Sequence, residues 1–352
     1  MLHRLLIHSL PLAGLSLLAL IPVHAADKSL LDQARSVFTP LDPKPVAGDK
    51  PATPQQVLLG RTLYFEPRVS ADGAVSCARC HQPSLYGTDG LPTSIGANHR
   101  VHPRNAPTVL NAAMQSVQHW RGDRRSVEEQ ATKALIAAPS YGNANYEEAM
   151  GKLKAIPGYH VLFSQAFPGE PDPITAENWG TAIGAYVRTL LTSSAFDRFL
   201  EGDDSALSAR ARAGLRTFME VGCTGCHSGA GIGGHLYQKF GLVEDYWKAT
   251  GSTHIDRGRV EVTNDPADLY VFKVPSLRNV AMTAPYFHDG SVPTLPAAVR
   301  VMAHVQLGKA LSDEQIIGIV AFLESLTGTM PPAFVTAPPL PVASVAGAAP
   351  SR

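Results

Sequence analysis

Two short runs decide how this chain is read: "CARCH", Cys77–His81, and "CTGCH", Cys223–His227. Each is a Cys-x-x-Cys-His unit, the attachment pattern of a c-type haem. The reason is geometric. Two thiols add to the two vinyl groups of one porphyrin, and the adjacent histidine reaches the iron from one face. A single copy is weak, because Cys-x-x-Cys also marks zinc and redox sites. Two copies that use all 4 cysteines are strong, since a redox pair has no need of the following histidine. Cys77, Cys80 and His81 are therefore expected to hold one covalently bound haem c. Cys223, Cys226 and His227 are expected to hold a second.

The N-terminus fits this chemistry. Arg4 gives a short positive region, an apolar run follows, and "VHAA" supplies a small-residue cleavage site after Ala25. Residues 1–25 read as a signal peptide and the mature protein as periplasmic. Four cysteines in an exported chain also permit two disulfides, but their spacing points to haem. Lys+Arg and Asp+Glu both number 30 in 352 residues, so net charge points to neither nucleic acid nor an anionic membrane.

Working outward, each motif has its own helical neighbourhood. Before the first, Thr53 caps "PQQVLLGRTLYF", with Pro54 at the first position and Gln56 completing a capping box. "SVEEQATKALIAA" opens on Ser126 with Glu129, and "TAENWGTAIGAYVRTLLTS" reads as a longer helix from Thr175 to about Ser193. Before the second motif, "ALSARARAGLRTFMEV" runs directly into Cys223. "SDEQIIGIVAFLESL", capped by Ser312 with Gln315, is the last clear helix. No strand-rich pattern competes, so the expected fold is all-α: two cytochrome-c-like domains, each around one covalently bound haem. The expected division is 1–25 signal peptide, 26–52 lead-in, 53–200 N-terminal haem domain, 201–329 C-terminal haem domain and 330–352 disordered tail. Helix, C-x-x-C-H and a loop-rich segment form one internal repeat.

The second axial position of each iron separates electron transfer from catalysis. "TLPAAVRVMAHVQLG" reads as a helix on which Met302 shares a face with Val299 and Leu295. On spacing alone Met302 is as well read as core as it is as a ligand.

Four runs, "NAPTVLN", "GCTGCHSG", "VFKVPSLRNVAMTAPYFHDGS" and "AAVRVMAHVQLG", together resemble the bacterial dihaem cytochrome c peroxidase family, which also contains MauG-type enzymes. The resemblance implies a high-potential C-terminal haem ligated by His227 and Met302, and a peroxidatic N-terminal haem on His81. It implies electrons from a small cytochrome c or cupredoxin, hydrogen peroxide as substrate, and a homodimer. It implies Trp120 in "HWRGDRR" as an aid to electron passage between haems. It further implies a calcium ion held by the Asn105 side chain and the carbonyls of Thr283 and Pro285, hard oxygen donors for a hard cation.

Two departures matter. The family histidine that caps the N-terminal iron follows "SIG"; here Ala97 follows it. That site is then open, or His99 or His102 bends in. The family's acid–base glutamate falls at Tyr141, while the pocket glutamine matches Gln130. A tyrosine, with an ordinary pKa of about 10, is a poor base near neutrality: either peroxide turnover is slow, or Glu147 or Glu148 substitutes, or Tyr141 serves instead as an iron ligand or a radical relay. A peroxidase, a MauG-like oxidase acting on a protein or organic substrate, and a non-catalytic dihaem electron carrier all stay open at this stage.

Overall fold

The computed structural model describes residues 29–48 and 51–342. The expected signal peptide lies outside the described residues, as does the end of the tail. The chain is mostly helical, and the helices fall around two main apolar cores, with a smaller cluster of Phe240, Tyr246, Phe272 and Val305 beside them. No helix among the described residues is long and apolar enough to cross a membrane.

After α1 (Leu30–Arg35), the first unit comprises α2 (Pro54–Tyr64), a single turn α3 (Cys77–Cys80), α4 (Val127–Ala134), α5 (Tyr146–Lys154), α6 (Pro157–Ala166) and α7 (Ala176–Val187). The capping box Thr53–Gln56 forms as expected, and the Ser126 side chain caps α4. The helix from Thr175 stops at Val187, short of the expected Ser193. Leu190 and Thr192 leave it to bond with Asn111 instead. The second unit comprises α8 (Ala195–Glu201), α9 (Ala209–Val221), α10 (Tyr246–Thr250), α11 (Val260–Thr263), α12 (Leu295–Leu307) and α13 (Asp313–Glu324), with α14 (Pro332–Val335) beyond it. A two-stranded antiparallel ribbon, β1 (Tyr237–Lys239) with β2 (Val271–Lys273), interrupts the all-helical expectation.

Each core is organised by a helix crossing at a glycine. Gly60 on α2 lies against the backbone of α7 at Ala182, and Gly214 on α9 lies against α13 at Gly318. A Cβ at either would strike main-chain atoms, so only glycine permits the approach.

The two ends of the chain cross over. α1 lies at the start of the described residues but packs into the second core, where Ala34 and Phe38 meet Phe196 and Phe322. The α8 helix packs in that core too, through Phe196, Phe199 and Leu200. The tail runs the other way. It was expected to be disordered from 330, yet 330–342 docks on the first unit. Phe334 is fully buried against Tyr64, and Arg61 donates to the carbonyls of Ala333 and Thr336 at 2.8 and 2.6 Å. The Pro/Ala composition misled because one aromatic and two borrowed arginine contacts suffice to dock so short a segment.

Phe334→Ala should therefore cost about 3–5 kcal/mol of stability in denaturant unfolding. Val335→Ala, at an exposed position, should change it by less than about 0.5 kcal/mol.

Candidate functional site

Each motif lies in its own cavity. The first, of about 330 Å³, is lined by Cys77, Cys80 and His81, together with His102, Gln130 and Tyr141. The second, of about 240 Å³, is lined by Cys223, Cys226 and His227, together with Phe218 and Met302. Trp120 and the run Asn105–Thr108 stand in the wall of both.

The donor set fits haem attachment better than a thiolate site. Burial pushes the Cys77 and Cys223 thiols up to about 11, the opposite of the lowered values that make redox or metal-binding thiolates. His81 is buried, and burial keeps its ring neutral below the ordinary value. Its Nδ1 lies 3.1 Å from the Gly87 carbonyl. A carbonyl only accepts, so Nδ1 carries the proton and Nε2 is left as the metal-binding atom. His227 is likewise held neutral by burial, down to about 4, and its Nδ1 is buried without a hydrogen-bond partner among the described residues. Lys273 is buried at the second cavity, and burial lowers its amine to about 8. It donates to Gln115 and has no carboxylate partner among the described residues. A buried cation of this kind calls for an anion in the cavity, and a haem carries two carboxylates. In the first cavity Gln130 Oε1 and Arg124 Nε are buried without partners, again facing a place for polar atoms that the protein does not fill.

A second internal repeat, beyond C-x-x-C-H, builds the two walls. Pro107-Thr-x-x-Asn111-x-Ala-Met114 matches Pro275-Ser-x-x-Asn279-x-Ala-Met282, and the correspondence continues without a gap into α4 and α12. Asn111 and Asn279 both take left-handed backbone (φ 59° and 62°), as do His119 and Phe287 (φ 67° and 71°). The hairpin bridge Gln118–Arg124 matches Tyr286–Val292, and the helix caps Ser126 and Thr294 match. Sequence reading missed this repeat, because neither copy contains a cysteine.

The correspondence isolates how the cavities differ. Where the second is lined by Phe287, Ala298 and Met302, the first is lined by His119, Gln130 and Ala134. A thioether is replaced by a methyl group, and two apolar groups by polar ones.

Several expected site residues move in importance. His99 is exposed and lines neither cavity, whereas His102 lines the first and is lowered to about 4, by burial foremost and by His119 and Arg104 nearby. Tyr141 lines the cavity but its hydroxyl is engaged by the Cys77 sulfur at 3.3 Å, and burial raises its pKa well above the ordinary value. It is no base. Glu147 and Glu148 are exposed and away from the cavity; Glu148 accepts from Ala144 N and pairs with Lys152. His119 and Asp123, unremarked in the sequence reading, are at hydrogen-bond distance (3.2 Å) on the cavity wall. The signal for them was a histidine directly before Trp120, with an acidic residue four positions on.

Asn105, Thr283 and Pro285 all line the second cavity. The Trp120 indole donates to the Asn105 carbonyl at 3.0 Å, and Arg104 clamps Asp256 of the second unit with two bonds of 2.6 and 2.8 Å.

The family model described as di-haem cytochrome c peroxidase matches residues 54–205. The cytochrome c551 peroxidase of Pseudomonas aeruginosa is 42% identical over 325 residues, covering 92% of this chain and 93% of that one. The methylamine utilization protein MauG of Methylorubrum extorquens is 37% identical over 306 residues, covering 83% of each. Among solved structures, a MauG-like protein associated with microbial copper homeostasis superposes with a TM-score of 0.72 at 27% identity, over 85% of this chain and 95% of that one. With two attachment motifs in two cavities that share one wall, and relatives matched over nearly their full length, the chain belongs to the di-haem cytochrome c peroxidase family.

Proposed function

We propose that the protein reduces hydrogen peroxide to water, taking electrons from a small cytochrome c or cupredoxin. The observation that carries this reading is the pairing of unlike cavities across Trp120: one with a thioether at Met302, the other with only Ala134 at the matching place. Bound haem supplies the redox chemistry, while the protein supplies ligation, orientation and pocket polarity. Cys77, Cys80 and His81 would hold the first group, and Cys223, Cys226 and His227, with Met302, the second. A methionine ligand raises the potential and suits a residue set that receives electrons. Ala134 offers no donor atom, and Gln130 beside it offers a polar one to a small ligand. Trp120 is fixed at both ends, through Nε1 to Asn105 and through its carbonyl to Lys273 N, so the indole is a rigid aromatic step between the cavities.

On this reading the fold is two cytochrome-c-like domains, peroxidatic in the first unit and electron-receiving in the second. Asn105 donates through Nδ2 to Leu91 O, which leaves its Oδ1 for a calcium ion together with the Thr283 and Pro285 carbonyls. Periplasmic location rests on residues 1–25. The donor's identity and a homodimer are carried by the family resemblance alone. An oxidase acting on an organic or protein substrate is favoured by Tyr141 in place of an acidic residue. Met302 at the second cavity weighs against it.

As isolated and fully oxidised, the protein should show one high-spin haem, and reduced cytochrome should be consumed on adding peroxide. Two low-spin haems and no turnover would leave a carrier, with His102 as the ligand that closes the first iron. Trp120→Phe should lower kcat while both haems stay attached. Met302→His should lower the midpoint potential of one haem by more than about 100 mV, as replacement of an axial thioether by imidazole requires. An unchanged redox titration would make Met302 a packing residue.

A further inference from the structure

Peroxide cleavage needs an acid–base group at the first cavity, and the positions the sequence offers for one do not supply it. Tyr141 is engaged by Cys77, and the nearest acidic candidates in sequence, Glu147 and Glu148, lie outside. We propose that His119, oriented by Asp123, supplies this function. The inference rests on the peroxidase reading and names the acid–base residue for that same site.

Three observations converge on the pair. His119 lines the first cavity, as do Asp123 and Gln130. Its Nδ1 lies 3.2 Å from Asp123 Oδ1. Its counterpart in the internal repeat is Phe287, which lines the second cavity on the same left-handed backbone. The scaffold therefore needs only an aromatic ring at this point. The first unit puts an imidazole there, and Asp123 four residues on, where the second unit has Ser291.

The electrostatics fix the proton. Burial works against ionising Asp123, but the hydrogen bond with His119 and the neighbouring charges of Arg124 and Arg121 hold the carboxyl well below its usual range. Arg124 bonds the same carboxylate at 2.7 Å. An ionised carboxylate only accepts, so the imidazole proton sits on Nδ1 and the lone pair on Nε2. This is how a carboxylate orients a histidine for proton transfer elsewhere.

The step balances as follows. Nε2 takes the proton from one oxygen of hydrogen peroxide and returns it to the other, which leaves as water when the O–O bond breaks. The remaining oxygen takes two electrons from the reduced donor protein and two protons from solvent, giving the second water. Gln130, with its amide oxygen unpartnered, holds the peroxide through one of its hydroxyls.

The test uses the purified dihaem protein and two probes. Hydrogen cyanide must lose a proton to bind ferric iron; carbon monoxide binds the dithionite-reduced protein without proton transfer. Stopped-flow cyanide binding to the first haem should slow by about a hundredfold or more in His119→Phe. It should also slow in Asp123→Asn and recover in part in Asp123→Glu. Carbon monoxide binding should be unchanged in all three, which a merely structural loss would not allow. Equal cyanide rates in wild type and His119→Phe would overturn the dyad and leave the peroxidase reading standing. So would a low-spin first haem at rest that turns high-spin in His119→Phe, since His119 would then be an iron ligand. A wild-type protein that binds neither cyanide nor peroxide would overturn both.

Discussion

Two crossed backbone bonds hold the functional geometry together: Asn105 N to the His288 carbonyl at 2.8 Å, and Lys273 N to the Trp120 carbonyl at 2.7 Å. Each joins the run before one repeat's proline to the hairpin of the other. They make the wall of one cavity out of the same residues that line the other, and they bring the Trp120 and His288 rings to 6.3 Å. Behind them, Asn111 and Asn279 both donate to the Thr192 hydroxyl, at 2.8 and 2.9 Å, in a fully buried junction. The linker between the units is thus bonded to corresponding residues of both. A buried side-chain network of this kind is costly when half satisfied and specific when complete. It sets the distance between the cavities, which is what electron passage depends on.

A second brace acts from outside. Asp197 on α8 binds Arg278 through both oxygens, at 2.9 and 2.7 Å, and also accepts from Leu41 N of the lead-in and Ser194 N of the linker. Both side chains are almost wholly buried, so the pair carries a desolvation cost that only its full set of hydrogen bonds repays. It also explains why the lead-in belongs to the second unit. Residues 34–38 pack into the core of the second unit and residues 330–341 dock on the first, so each unit is completed by a segment distant in sequence.

What was legible in the sequence was whatever a local rule governs. C-x-x-C-H names its chemistry because thioether spacing is covalent, and the capping boxes at Thr53 and Ser312 formed because they need only three residues of context. Residues whose role depends on facing a cavity were less legible. His99 is the nearer of the two histidines to Ala97 in sequence, yet only His102 lines the cavity, the chain turning at the left-handed residues Asn98 and His99. Tyr141 lines the first cavity, and the engagement of its hydroxyl by Cys77 is a tertiary fact that no local rule reveals. The repeat around Asn111 and Asn279 was visible all along in the letters. It went unread because its fixed positions are Pro, Asn and Met, which carry no chemistry of their own.

That repeat bears on how one scaffold holds two different sites. The positions that match between the copies are those where the backbone is constrained: a proline, an asparagine in left-handed conformation, a hydroxyl residue at a helix cap. A change at any of them disturbs the main chain, and through the crossed bonds it disturbs both cavities. The positions that differ, His119 against Phe287, Gln130 against Ala298 and Ala134 against Met302, all line a cavity. Their side chains answer to what the cavity holds rather than to the path of the backbone. The two sites can therefore diverge in ligand and acid–base chemistry while the separation and orientation between them stay the same. A shared wall at Trp120 then connects one cavity lined by a methionine to another lined by a histidine and a glutamine, with no change in the fold that joins them.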